Sequence, residues 1–242
     1  MKWTKWKIFK IIWVTAGICF VTWMWISMQA KGVSKSILQN DSFVQVEKTK
    51  DFISFTPTGS YSSVCIFYPG ALVDPVAYAP LCRNIAAGGC KVMLIKMPWR
   101  LAKNGYNKPK ELNLFKDGTK KYILAGHSQG AKMAAQFVYE NPSLVNKLIL
   151  IATTHPRDID LSKLLIPVMK ISGSRDGVAG MDDIFKNKPK LPPATKYVLI
   201  EGANHAQFGY YGFQLGDNTA SITREQQQKQ TLDNMLSFIS DP

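Results

Sequence analysis

Residues 11–28, IIWVTAGICFVTWMWISM, carry no charge. As a helix this run would be about 27 Å long at ~1.5 Å per residue, close to the thickness of a bilayer's hydrocarbon layer. Residues 31–42 are polar and small and read as a linker. Beyond them, short apolar runs alternate with mixed segments. FVQVE (43–47) and DFISFTP (51–57) predict paired edge strands, and SVCIFYPG (63–70) a buried central strand. Residues 74–89 predict a helix with Asp74 as its cap, Pro75 in the first turn and glycines at its end. KVMLIKMP (91–98) is a further strand, followed by a loop-rich stretch and a weak helix near 110–117. KYILAG (121–126) predicts a strand running into a helix from Gln129 to about Tyr139. The strands KLILIAT (147–153), PVMKISG (167–173) and KYVLIEG (196–202) follow. The last helix opens at Thr223, which forms a capping box with Gln226, and its apolar face is Leu232, Met235, Leu236 and Ile239.

Strands and helices taking turns, with the strands continuously apolar, predict an α/β domain: a mostly parallel central sheet with helices on both faces. The organisation expected is a basic head and one transmembrane helix over 1–30, the linker over 31–42, and a single domain over 43–242.

Composition changes this picture only at the N-terminus. The chain has 242 residues, 46% of them hydrophobic, enough for one sizeable core. Its formal charge is +13, but Lys2, Lys5, Lys7 and Lys10 all precede the apolar run and the remaining excess is scattered. Such a spread suits an anionic surface better than a nucleic-acid groove, and no RNP-like motif or zinc-finger spacing is present. Trp13, Trp23 and Trp25 add the aromatic character common at membrane interfaces. A cleaved signal peptide has the same basic-then-apolar order. The run is long for one, however, and Met28 stands where an A-x-A site wants a small residue. Ile18 likewise occupies the position a lipoprotein box before Cys19 needs small. The expectation is an uncleaved anchor in the cell membrane, lysines cytoplasmic and the domain outside. Of the cysteines, Cys82 lies in the predicted 74–89 helix and Cys90 just after it; a bridge between them is compatible with the spacing, and buried free thiols are the expectation. With His127, His155 and His205 the only histidines, no metal site is expected.

The chemistry centres on GHSQG, residues 126–130, which matches G-x-S-x-G between a strand and a helix. Strand and helix approach closely there, so the flanking positions must be small. The serine is thereby held in a tight turn at the helix N-terminus. A serine hydroxyl needs a base to take its proton and an acid to orient that base, in the chain order serine, acid, histidine. Asp176 lies just beyond PVMKISG and His205 just beyond KYVLIEG. Ser128, His205 and Asp176 are therefore the candidate nucleophile, base and acid. His127 is expected to pack locally, and His155, at another strand's carboxyl end, is within reach of a substrate. A tetrahedral intermediate needs N–H donors; the backbone of Gln129 supplies one, and Ala71, in the turn after the 63–70 strand, the other.

The succession YPGALVDPVAYAPLC, GHSQG, SGSRDG and EGANHAQFG resembles the α/β-hydrolase superfamily over about residues 43–240. The likeness is greatest to a bacterial branch of small, often membrane-anchored serine hydrolases. The resemblance implies the α/β-hydrolase fold, a Ser–His–Asp triad and no cofactor. Large caps in this fold usually follow the strand here read as KLILIAT, and only thirteen residues, 154–166, separate it from the next, so a minimal cap or none is expected. The segment WRLAKNGYNKPKEL (99–112) departs from the family pattern. The partners expected are a small-molecule ester, of small or short acyl group, and the membrane, with no nucleic acid. A serine peptidase or acyltransferase on the same triad, and a non-catalytic membrane-anchored binding module, are the alternatives. The aromatic residues Phe208, Tyr210, Tyr211 and Phe213 fit either a pocket wall or a packed loop.

Overall fold

A computed structural model describes residues 4–241; Lys2 of the basic head lies outside the described residues. The first helix, α1, runs from Lys5 to Ser27 and is long and apolar enough to cross a membrane. Its side chains are exposed along nearly its whole length, and Ser27 alone is buried. Residues 31–42 lie against the domain. A short 3₁₀ turn over Lys35–Leu38 leads into a chain whose Ile37 and Gln39 carbonyls accept from the Arg83 guanidinium at 3.0 and 2.8 Å.

Eight strands form one sheet: β1 (Val44–Lys48), β2 (Phe52–Pro57), β3 (Ser63–Tyr68), β4 (Lys91–Ile95), β5 (Lys121–His127), β6 (Lys147–Ile151), β7 (Val168–Gly173) and β8 (Lys196–Ile200). Their order is β1-β2-β4-β3-β5-β6-β7-β8. β1 and β2 pair antiparallel, as does β2 with β4, and every later pair is parallel. Between these strands come α2 (Ala79–Ala87), the four-residue α3 (Lys108–Glu111), α4 (Gln129–Glu140) and α5 (Met181–Lys186), with α6 (Arg224–Ser240) last.

The period of two along the strands divides the core in two. Cys65 and Phe67, Val92 and Leu94, Ile123 and Ala125, Ile149 and Ile151 point to one face, where Leu81 and Ile85 of α2 and Met235 and Phe238 of α6 cover them. Ile66 and Tyr68, Met93 and Ile95, Leu124, Leu148 and Leu150 point to the other, under Met133, Ala134 and Phe137 of α4. Fully buried strands covered on both faces explain the continuous apolar runs.

Where the structure differs from the pattern-based expectation, local backbone explains it. The helix expected near 110–117 is confined to α3, because the chain turns to a φ of +52° at Asn113. The helix expected over 74–89 starts as a 3₁₀ turn at Pro75–Tyr78 under the Asp74 cap. Cys65, Cys82 and Cys90 are buried free thiols. Among the described residues, the segment between β6 and β7 contains no helix.

Strand order reverses between β3 and β5: from β3 the chain moves outward to β4, and from β5 it moves the other way to β6. A crevice opens at the carboxyl ends of strands at such a reversal, and this is where α/β sheets bind ligands.

Candidate active site

Ser128 lies between β5 and α4 with φ +55° and ψ −120°, a backbone conformation that costs a non-glycine residue ~1–3 kcal/mol. Its N–H donates to Ile151 O at 2.9 Å, tying the turn to β6. The two glycines of the motif have a steric reason. A Cβ on Gly126 would meet Gly130 C at 2.5 Å, and one on Gly130 would overlap the carbonyl oxygens of Tyr68 and Pro69. The absence of those carbons lets α4 start directly against β5 and against the end of β3. The turn that follows β3 and carries Ala71 is thereby brought against the start of α4 and against His127.

Asp176 and His205 leave the ends of β7 and β8 and meet with side chains only 1% exposed each, His205 Nδ1 2.9 Å from Asp176 Oδ2. The other carboxylate oxygen accepts from the N–H groups of Val178 at 2.8 Å and Ala179 at 2.7 Å. In the tautomer that completes this pair, Nδ1 of His205 donates to Asp176 Oδ2. Nε2 is then the lone-pair nitrogen. It is buried, and it has no hydrogen-bond partner among the described residues. Ser128 is the half-buried neighbour of His127, whose ring centroid lies 4.6 Å from that of His205. No hydrogen bond joins Ser128 Oγ to His205 among the described residues.

His127 packs locally, as expected, and does more. Tyr78 OH receives the Gly70 N–H at 3.1 Å and is hydrogen-bonded to His127 Nδ1, 2.7 Å away. Burial, and then the nearby His205, hold the His127 ring well below the ordinary histidine pKa, so it stays neutral and able to accept. The pair Tyr78–His127 thus bolts the turn after β3 to the serine turn. In that turn the Gly70 N–H is taken by Tyr78 and the Leu72 N–H by Arg100 O at 2.7 Å. The N–H groups of Ala71 and Gln129 have no acceptor among the described residues. Gln129 is itself held through its side chain, whose Oε1 accepts from Ala102 N at 3.1 Å.

Sequence reasoning passed over two residues here. Tyr78 is one. Asp217 is the other: its carboxylate accepts from the N–H groups of His205 (3.1 Å), Ala206 (2.8 Å) and Gly177 (3.2 Å), clamping the His205 loop to the Asp176 loop. Its place in GDN, a polar turn after an aromatic segment, was the only available signal. His155 contributes its carbonyl to the Lys170 ammonium at 2.6 Å, and burial lowers its ring to about 4. The aromatic loop divides: Phe208 and Tyr211 are buried, while Phe213 is 57% exposed and lies beside Trp23 of α1. Among the described residues no group of three or more His, Cys, Asp or Glu side chains could hold a metal.

A model of the alpha/beta hydrolase family matches residues 64–229, more than half of the chain. The protein belongs to that family. No curated protein matches the sequence. Solved structures resemble this alpha/beta hydrolase over most of its length at low identity, a likeness of fold. TT1662 from Thermus thermophilus aligns with TM-score 0.60 and 13% identity, covering 82% of this chain and 99% of its own. Esterase 2 of Thermogutta terrifontis gives TM-score 0.58 at 16% identity, covering 83% and 97%. Carboxylesterase CesB of Bacillus subtilis gives 0.52 at 14%, covering 85% and 94%.

Proposed function

We propose that this alpha/beta hydrolase cleaves carboxylic esters of small or short acyl group through an acyl-enzyme on Ser128. The observation that carries the reading is the unpartnered, buried Nε2 of His205, the one lone pair in a pair otherwise saturated with hydrogen bonds. In this reading Nε2 takes the Ser128 proton as Oγ attacks the ester carbonyl. Asp176 keeps the imidazole in the right tautomer and stabilises the imidazolium. The N–H groups of Ala71 and Gln129 receive the oxyanion, and the alcohol leaves with the proton from His205. Water then takes the alcohol's place and releases the acid. Two structural neighbours carry esterase in their names, which supports esters as the substrate class.

The short acyl group follows from the short, helix-free connection between β6 and β7. Each buried methylene contributes about 0.8 kcal/mol, and without a cap there is little apolar surface to receive a long chain. For placement, we propose that α1 remains as a single-pass membrane anchor, with Lys5, Lys7 and Lys10 cytoplasmic and the catalytic domain outside. The contacts between the last helical residue, Ser27, and the Gly212–Phe213 segment support retention of the helix, since cleavage nearby would discard them.

A fluorophosphonate probe tests the chemistry. It should label the wild type and not Ser128→Ala; an unlabelled wild type overturns the hydrolase reading. Across p-nitrophenyl esters from acetate to palmitate, kcat/KM should fall with length, and a steady rise would overturn the short-acyl reading.

A further inference from the structure

The end of α1 is joined to the two loops that border the candidate site. Gly212 N donates to Ser27 O at 2.8 Å, Ser27 Oγ donates to Phe213 O, and Lys31 N donates to Tyr210 O at 2.7 Å, all in the segment following His205. On the opposite side, Asp74 N donates to Met28 O at 2.9 Å. There Arg100 reaches Gln29 Oε1 and Asp74 Oδ2, both at 3.2 Å, with its guanidinium 4.4 Å over the Trp25 ring. The helix therefore ends on the rim of the site without a free tether.

Depth follows from length. From Ile8 to Ser27 the helix rises about 30 Å at ~1.5 Å per residue, and the hydrocarbon layer is about 30 Å thick. Lys10 can extend its ammonium towards the near headgroups. Crossing thus consumes the whole apolar run, and its last turn ends where hydrocarbon gives way to headgroups. Phe213 packs against Trp23, ring centroids 6.3 Å apart, one turn deeper than Ser27.

Apolar side chains are turned outward at this level. Trp99 is 86% exposed, Leu215 64% and Phe213 57%. Trp99 and Arg100 both hold φ +55°, so two successive non-glycine residues adopt a left-handed backbone beside the helix with the tryptophan turned to the outside. Lys31 and Lys103, both exposed, flank the patch and suit anionic headgroups.

We infer that the rim of the site is seated in the headgroup layer of the bilayer that α1 crosses, with Trp99, Phe213 and Leu215 as the inserted side chains. This rests on the anchored reading of α1 proposed above. The cleft between the Ala71 turn and the His205 loop then opens onto the lipid surface, and the ester reaching Ser128 is one displayed at headgroup depth.

The test uses the full chain in phosphatidylcholine–phosphatidylglycerol vesicles, with tryptophan emission quenched either by lipids brominated near the headgroup or by aqueous iodide. Trp99→Phe should remove emission that the lipids quench and leave the iodide-quenched fraction unchanged. Phe213→Trp, made in that background, should restore a lipid-quenched signal. Loss of iodide-quenched emission in Trp99→Phe would put the rim in water. Loss of emission reached by neither quencher would put another protein on the patch. Either result overturns the inference. Fluorophosphonate labelling of Ser128 and retention of the chain after an alkaline wash, read in the same vesicles, report the hydrolase and anchor readings separately.

Discussion

Around His205 and Asp176, carboxylates and amides gather the backbone in place; around Ser128 and Ala71, the backbone is bent and held there by its neighbours. On the first side Asp217 gathers three N–H groups from two loops, and Asp176 gathers two from its own loop. Gln227 of α6 exchanges paired hydrogen bonds with the backbone of Asn204, at 3.1 and 2.8 Å. On the second side Leu72, Trp99, Arg100 and Ser128 all have φ between +55° and +63°. They are restrained by Tyr78, by the Leu72–Arg100 backbone bond and by the end of α1. Left-handed residues persist only where their surroundings over-determine them. The half that would move a proton thus depends on a polar network inside the domain. The half that would stabilise an anion depends on restrained strain, part of whose restraint comes from the N-terminal segment.

The comparison can be broken first at Asp176. Asp176→Asn, which keeps the shape but reverses the hydrogen bond to His205, should lower kcat on the order of 10⁴-fold in steady-state ester hydrolysis. Full activity in this variant would remove Asp176 from its role. Asp217→Asn tests the same half more gently. A base loop displaced by ~1 Å costs about 100-fold, and the loss should fall on kcat with KM little changed. On the other half, Tyr78→Phe leaves the Gly70 N–H and His127 Nδ1 unpaired in a buried place. That costs about 1–3 kcal/mol in unfolding free energy, and a thermal melt should record it as a lower Tm, by roughly 2–4 °C per kcal/mol for a chain of this size.

A gradual effect, read only as a slope, is the pH dependence of stability carried by two histidines. His155 is lowered by burial, and then by Lys132 and Arg157, from 6.5 to about 4. His127 is lowered in the same direction. Unfolding returns both to ordinary values, so between those limits the unfolded chain binds more protons than the folded one. Their contribution to stability is complete above about 6.5 and is lost as pH falls towards 4. Urea unfolding across that window should show a shallower fall in His155→Gln than in the wild type.

The features legible in the sequence are those with local causes. G-x-S-x-G carries its own steric logic, and the Thr223–Gln226 capping box is complete within four residues. The strands show as apolar runs because both faces are covered. Contacts made across the chain left no such trace. Asp217 meets Gly177 across 40 residues, and Tyr78 meets His127 across 49. Residues 31–42 look like a tether because they are polar and small, yet Arg83 of α2 gathers their carbonyls. Six-residue α5 shows too little periodicity to be read in advance.

The bond from Ser27 to Phe213 spans 186 positions. A ribosome therefore makes one partner early and the other late. Chains acquire structure N-terminal part first as they are synthesised, and a contact between distant segments waits for the later one. The apolar helix is made before β1–β8, but its inner end has nothing to close upon until the loop after His205 has been made. A segment made early is in this way among the last to find its place. A nascent chain stalled before residue 213 would carry its helix and its serine turn, with the rim on the histidine side still missing.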